Sequence, residues 1–108
     1  MLDIYYAPPF TVHMPENPDQ LELAGSMDLH AHRSLAVLLD KGSKAGADLR
    51  YFEDSMLRPA QVVILLEIFM ANARELEGNH LALAAFDVMH TLLEAAVSRG
   101  AGLIAFSD

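Results

Sequence analysis

The spacing of apolar residues along the chain predicts three helices. The first runs over residues 28–41, between a capping side chain at Ser26 or Asp28 and a stop at Gly42. At about 100° per residue, its apolar side chains share one face, which we expect to pack on the core. That face consists of Ala31, Leu35, Leu38 and Leu39.

The second predicted helix, residues 59–77, has more apolar residues than one buried face can use. It begins at Pro59, where the missing N–H costs nothing, and it ends at Gly78. An ordinary core stripe is formed by Val62, Leu65, Leu66, Phe69, Ala73 and Leu76. Four further apolar residues lie outside that stripe: Val63, Ile64, Ile68 and Met70. Since a helix that is apolar on most of its circumference is covered on both sides, we expect the N-terminal segment or a second copy of the chain to contact these four residues. Of the two, a homodimer is favoured.

The third predicted helix, residues 79–99, has one apolar and one polar face. The apolar face holds Phe86, Met89, Leu92, Leu93, Ala96 and Val97, and the polar face holds His80, Asp87, His90, Thr91, Glu94 and Ser98. Short strands are predicted at residues 2–6, 49–52 and 103–106, with the last two paired through a helical crossover. The pattern therefore predicts a mainly helical α+β fold, with three main helices and two or three short strands. We expect a single compact domain over residues 1–108, in which residues 1–25 are an irregular N-terminal segment that packs on the helical core.

Composition and charge favour some classes of binding partner and disfavour others. The 108 residues are 53% hydrophobic, which is rich for a small monomer and favours association. Fifteen Asp and Glu against seven Lys and Arg give a net charge of −8, so nucleic acids and anionic membranes are disfavoured as partners. A basic protein would be attracted. The partner-binding residues predicted on this basis are Glu53, Asp54, Glu67, Glu75, Asp87 and Glu94.

The location suggested by the sequence is the cytoplasm. The chain has no cysteine, and its first residues lack the basic start and apolar run of a signal peptide. Every uninterrupted apolar run, that of residues 62–66 included, is far shorter than a membrane span.

The histidines are the main candidates for metal chemistry. On a helix, His30 and His32 point about 200° apart and cannot grip one ion. His90 and Glu94, spaced i, i+4, share a face with His80 and Asp87, but no His-Glu-x-x-His sequence is present. We interpret that face as solvated and predict no metal, no cofactor and no catalytic residue.

Two stretches carry a resemblance. In residues 51–62 a tyrosine–aspartate turn leads into a helix that begins at Pro59, and in residues 100–108 a glycine-flanked strand ends in Asp108. This pattern resembles small acidic bacterial proteins of the kind grouped with the immunity proteins of toxin systems. The resemblance implies toxin binding and transfers no catalytic residue.

The leading hypothesis is therefore a non-enzymatic protein-binding module, of which an immunity-type inhibitor of a basic toxin is one form. Two alternatives stay open. One is a small metal-dependent or ligand-binding enzyme subunit that uses the histidine-bearing faces. The other is a plain self-associating protein.

Overall fold

The computed structural model describes residues 1–107; Asp108 lies outside this range. The described residues form four α-helices and four strands, joined by turns and loops. The strands are β1 (Leu2–Ala7), β2 (Glu22–Met27), β3 (Ser55–Leu57) and β4 (Gly102–Ser107). The helices are α1 (Leu29–Ser34), α2 (Ala36–Lys44), α3 (Pro59–Ala71) and α4 (His80–Arg99), with a 3-10 helix at Ala73–Leu76 between the last two. The predicted α+β class, mainly helical, is confirmed.

The first and last strands are paired at the centre of one antiparallel sheet, whose order is β2-β1-β4-β3. Their register runs from Leu2 opposite Ser107 to Ala7 opposite Gly102. β2 pairs along the free side of β1, with an irregularity between Ile4 and Tyr5, and the short β3 pairs with β4. The sheet therefore joins the two ends of the described chain.

The two faces of the sheet have different roles. Leu2 and Ile4 of β1, with Leu103 and Ala105 of β4, belong to the main core. Since successive side chains of a strand alternate between faces, the opposite face receives Tyr5, Ile104 and Phe106. The Tyr5 and Phe106 rings meet edge to face with centroids 6.0 Å apart. Ile104, in register with Tyr5, is fully buried.

The helices form one layer on the core face of the sheet. α3 and α4 lie side by side, and their contact includes Phe69 and Phe86, whose rings stack with centroids 5.6 Å apart. α2 lies on the other side of α3, where Gly42 packs against Leu65 and the Lys41 Nζ donates to Asn72 Oδ1 at 2.7 Å. The layer order is therefore α2, α3, α4.

Two predicted helices have other bounds than expected, and the first of them continues through its predicted stop at Gly42 as far as Lys44. The helix predicted over residues 28–41 is capped by Asp28, whose Oδ1 accepts from the Ala31 N–H at 2.8 Å, but it breaks at the fully buried Leu35 into α1 and α2. The helix predicted over residues 59–77 ends at Ala71, because the Asn72 Nδ2 donates to Ile68 O at 2.8 Å while its Oδ1 accepts from Lys41. A 3-10 helix completes that segment.

Two strand predictions were also wrong. Residues 49–52 are not a strand; β3 lies at Ser55–Leu57 instead, and pairs with β4 in antiparallel register. Residues 1–25 were predicted to be irregular apart from a strand at residues 2–6. That strand is present as β1, at the centre of the sheet, but β2, which begins at Glu22, was not predicted. β2 escapes a pattern search because it contains Ala24, Gly25 and Ser26, which have weak strand propensity and gain order only from pairing with β1.

Gly102, the first residue of β4, generates a stability prediction. A Cβ added there would overlap the carbonyl oxygen of Leu57 on β3, which is backbone and cannot rotate away. Gly102→Ala should lower the free energy of unfolding by about 1–3 kcal/mol in urea denaturation. Gly25→Ala is the matched control, because its Cβ would meet the movable Leu92 Cδ2 at 3.2 Å. Equal losses in the two variants would contradict this account of the β3–β4 contact.

Candidate functional site

The six acidic residues predicted to bind a partner do not form one patch. Three of them lie on the outer surface of the helix layer. On α3, Glu67 is exposed and lies opposite the buried stripe of that helix; on α4, Asp87 and Glu94 are exposed and lie opposite the buried stripe of α4. Because Phe69 stacks on Phe86, Glu67 and Asp87 are at the same level on the two neighbouring helices.

The other three predicted acidic residues are elsewhere and have partners inside the chain. Glu75 forms an ion pair with Lys41 at 3.1 Å, and Glu53 lies 3.7 Å from Arg50. Asp54 accepts a hydrogen bond from the backbone N–H of Ser107 at 2.8 Å, which ties the segment before β3 to the end of β4. Asp54 therefore has a structural role that the sequence did not reveal.

The residues predicted for self-association also divide into two pairs. Ile64 packs against the core, and Ile68 lies on the same stripe of α3 as Gln61, Leu65 and Asn72. That stripe faces α2, since the Gln61 Nε2 donates to Gly46 O and Asn72 bonds Lys41. Val63 and Met70, by contrast, point to solvent with 39% and 62% exposure. Ile64 and Ile68 are therefore next to the core and α2, and the position of α2 was not predicted. Val63 and Met70 remain exposed.

Val63 and Met70 lie along the seam between α3 and α4, where exposed apolar side chains of the two helices are neighbours. We call this the α3–α4 groove and define it by Val63, Leu66 and Met70 of α3 with Leu83, Phe86, His90 and Val97 of α4. Leu83 and Val97 are about one-third exposed, at 38% and 36%. Glu67 flanks the groove on the α3 side, and Asp87 and Glu94 flank it on the α4 side. From Leu83 to Val97 the groove extends about 21 Å, at 1.5 Å per residue.

His90 lies in this groove, although the sequence placed it on the polar face of α4. Its ring stacks on Phe86 with centroids 5.4 Å apart, and Phe86 in turn stacks on Phe69. The His90 Nδ1 is 3.0 Å from Glu94 Oε1. α3 supplies the Phe69 ring, so a pattern drawn from α4 alone could not show that His90 would be partly covered.

A concave site lies between α1, α2 and residues 48–53. We call it the α1–α2 cleft; its volume is about 490 Å³. Its apolar lining is Leu29, Leu39 and Leu49, and its aromatic wall is Tyr51 and Phe52. Sequence reasoning missed it because residues 49–52 were interpreted as a strand.

His32 and the aromatic wall hold the shape of this cleft. The His32 Nε2 donates to the carbonyl oxygen of Leu49 at 3.0 Å, which fixes residues 48–53 against α1. The Tyr51 ring meets His32 edge to face at 5.5 Å and meets Phe52 at 5.0 Å between centroids. Phe52 itself is 74% exposed, so one aromatic ring is presented to solvent on a constrained segment.

Some charged groups of the cleft form ion pairs with one another and others do not. The Arg50 Nε donates to Asp48 Oδ2 at 2.6 Å, and its Nη1 is 3.7 Å from Glu53 Oε2. The hydrogen bond to Asp48, followed by the charges of Asp48 and Glu53, raises the pKa of Arg50. Asp40 and Arg33 also line the cleft, and within residues 1–107 neither forms an ion pair.

Metal ligands are not grouped in the described part of the chain. Residues 1–107 contain no cluster of three or more His, Asp or Glu side chains arranged to hold an ion. His30 is exposed, whereas His32 is bonded to Leu49.

Among the described residues, α4 is long and apolar enough to cross a membrane by length and composition. Its buried face, however, packs on α3, α1 and the sheet. The core helix of a globular domain passes the same test.

Comparison with protein-family models, with curated proteins and with solved structures gives no significant match. The toxin-immunity resemblance thus stays a hypothesis. Its two stretches are neighbours in space, since β3 follows residues 51–54 and pairs with β4.

The free energy of unfolding distinguishes the structural role of Asp54 from the surface position of Glu67. Asp54→Ala removes the acceptor for the Ser107 N–H and should lower the free energy of unfolding by about 1 kcal/mol. Glu67→Ala, on the outer surface of α3, is the matched control and should change it by less than about 0.5 kcal/mol. Both values come from urea denaturation. A stable Asp54→Ala protein would show that the β4 contact is dispensable.

Proposed function

We propose that the protein is a non-enzymatic binding module whose α3–α4 groove receives an amphipathic, basic segment of a partner protein. The observation that carries the proposal is the combination of exposed apolar side chains in the groove with carboxylates on both of its sides. A helix docked in such a groove contributes apolar anchors at i, i+3, i+4 and i+7, and its flanking cations meet the acidic sides.

The apolar part of the groove supports binding rather than solubility alone. A surface that only keeps a protein soluble has no need of exposed Val63 and Met70 on α3 beside exposed Leu83 and Val97 on α4. Methionine at such a position adapts to differently shaped partners because its side chain is flexible and polarisable. Burial of these side chains by a partner would be favourable at about 25 cal/mol per Å² of apolar surface.

Charge favours a basic occupant over a second copy of the chain. If two copies paired through this groove, Glu67 of one copy would approach the carboxylates that flank the groove of the other. Like charges brought together in an interface cost free energy, whereas Lys or Arg residues gain from the same field. The apolar content of α3 favours a homodimer. A second copy of the chain is therefore the competing occupant of the α3–α4 groove in the experiment below.

A cationic toxin, such as a nuclease, is one class of partner that fits this proposal, and the pattern of residues 51–62 and 100–108 motivates it. A cytoplasmic location is part of the same proposal. Inhibition by docking needs no catalytic group in this chain, because covering the basic surface of a nuclease also blocks its access to nucleic acid.

The test uses a model amphipathic peptide of leucine and lysine, about 18 residues long, so that a helix spans the groove. It should bind with an on-rate that falls as salt is added. Glu67→Lys with Asp87→Lys should reduce the on-rate about tenfold at low ionic strength. Met70→Ser should raise the off-rate about fivefold, which corresponds to ~1 kcal/mol of lost apolar burial. Stopped-flow fluorescence measures both rates.

The matched control is Glu16→Lys with Asp19→Lys, which makes the same change in net charge on exposed residues outside the helix layer. This control should keep most of the wild-type on-rate. Equal effects of the two double variants would show that net charge alone attracts the peptide. If sedimentation shows a dimer that Met70→Ser dissociates and the peptide competes with, a second copy occupies the groove and the proposal is wrong.

A further inference from the structure

We infer that the α1–α2 cleft is a second binding site, for a guanidinium or ammonium group carried on an apolar stem, as in an arginine or lysine side chain. This inference is independent of the α3–α4 groove, since the two sites share no lining residue. It rests on the shape, the aromatic wall and the charge of the cleft.

The size and the lining of the cleft suit a single side chain or a small ligand. A volume of about 490 Å³ is within the range of about 300–1,000 Å³ typical of small-molecule sites. Leu29 is partly exposed at the cleft, and the buried Leu39 and Leu49 form its apolar floor, against which an aliphatic stem can lie. The bond from His32 to Leu49 O holds one wall in place, so little ordering accompanies binding.

Phe52 gives the cleft its preference for a cation. The ring is 74% exposed, and its edge-to-face contact with Tyr51 orients it. A cation within about 6 Å of an aromatic face is attracted by the ring quadrupole, and arginine exploits this most often. The chain already contains one such contact, where the Arg99 Cζ lies 4.1 Å from the centroid of Tyr6.

The charges around the cleft favour the same ligand. Three carboxylates, of Asp40, Asp48 and Glu53, line it against two guanidinium groups, of Arg33 and Arg50. Arg50 is held by Asp48 and Glu53 together, and so brings less positive charge than those two residues bring negative. Asp40 has no ion-pair partner within residues 1–107, and its negative charge balances the positive charge of Arg33. The carboxylates of the cleft outnumber its guanidinium groups, so its field attracts a cation.

The experiment titrates the ¹⁵N-labelled full-length chain with three probes whose termini are blocked: N-acetyl-arginine-N-methylamide, the citrulline analogue and the glutamate analogue. Citrulline has the shape of arginine without its charge. We expect arginine to shift the amides of residues 29–33, 39–43 and 48–53, with a dissociation constant on the order of a millimolar. Citrulline should bind at least about threefold more weakly, and glutamate should leave these amides unshifted.

Two variants test the named side chains. Phe52→Ala and Asp40→Asn should each weaken arginine binding about two- to fivefold, the loss expected of one exposed cation–π or ion-pair contact. Phe10→Ala, which removes an exposed ring outside the cleft, is the matched control and should leave binding unchanged. Equal binding of citrulline, binding of glutamate, an unaffected Phe52→Ala protein or no shift in the cleft would each overturn the inference. None of these results bears on the peptide bound in the α3–α4 groove, because that groove is tested by Glu67, Met70 and Asp87.

Discussion

The pairing of β1 with β4 is the constraint on which the rest of the structure depends. It joins residues 2–7 to residues 102–107 in one continuous register, so nearly the whole chain lies between two neighbouring strands. Closing so long a loop costs conformational entropy, and the pairing must be stabilised by what the intervening chain buries. That burial comes from the layer between the sheet and the helices, where Ile4 and Leu103 meet Leu65, Phe69 and Met89.

The connection from β3 to β4 and the break at Leu35 set the positions of the α3–α4 groove and the α1–α2 cleft. Since β3 and β4 are antiparallel neighbours joined by α3 and α4, the two helices pack side by side over one face of the sheet. Each helix then has one face in the core, and the groove between them opens outward. On the other side of α3, the break at Leu35 lets α1 and α2 diverge, and the α1–α2 cleft occupies the angle between α1, α2 and residues 48–53.

Charged residues in this protein divide between structural and free roles, and sequence position does not predict the division. Glu75 and Glu53 have cationic neighbours, Asp54 holds a backbone N–H of β4, and Asp28 caps α1. Glu67 and Asp87 lie on a helix surface with no such bond within residues 1–107. Exposed ion pairs contribute little to stability, so the excess negative charge acts mainly through its field.

The sequence by itself determined α4, the start of α3 at Pro59, the buried stripes of both helices and the α+β class, because these depend on periodicity and on caps within a few residues. Val62, Leu65 and Phe69 on α3, and Met89 and Leu93 on α4, are buried where the 3.6-residue period places them. Only the tertiary structure decided the order of the strands, the existence of β2, the position of α2 beside α3, and the stacking of His90 on Phe86. It also formed the α1–α2 cleft, where His32 and Leu49 meet across 17 residues of chain. Each of these contacts joins elements distant in the chain, and the energy that selects them comes from burial and pairing that no local pattern contains.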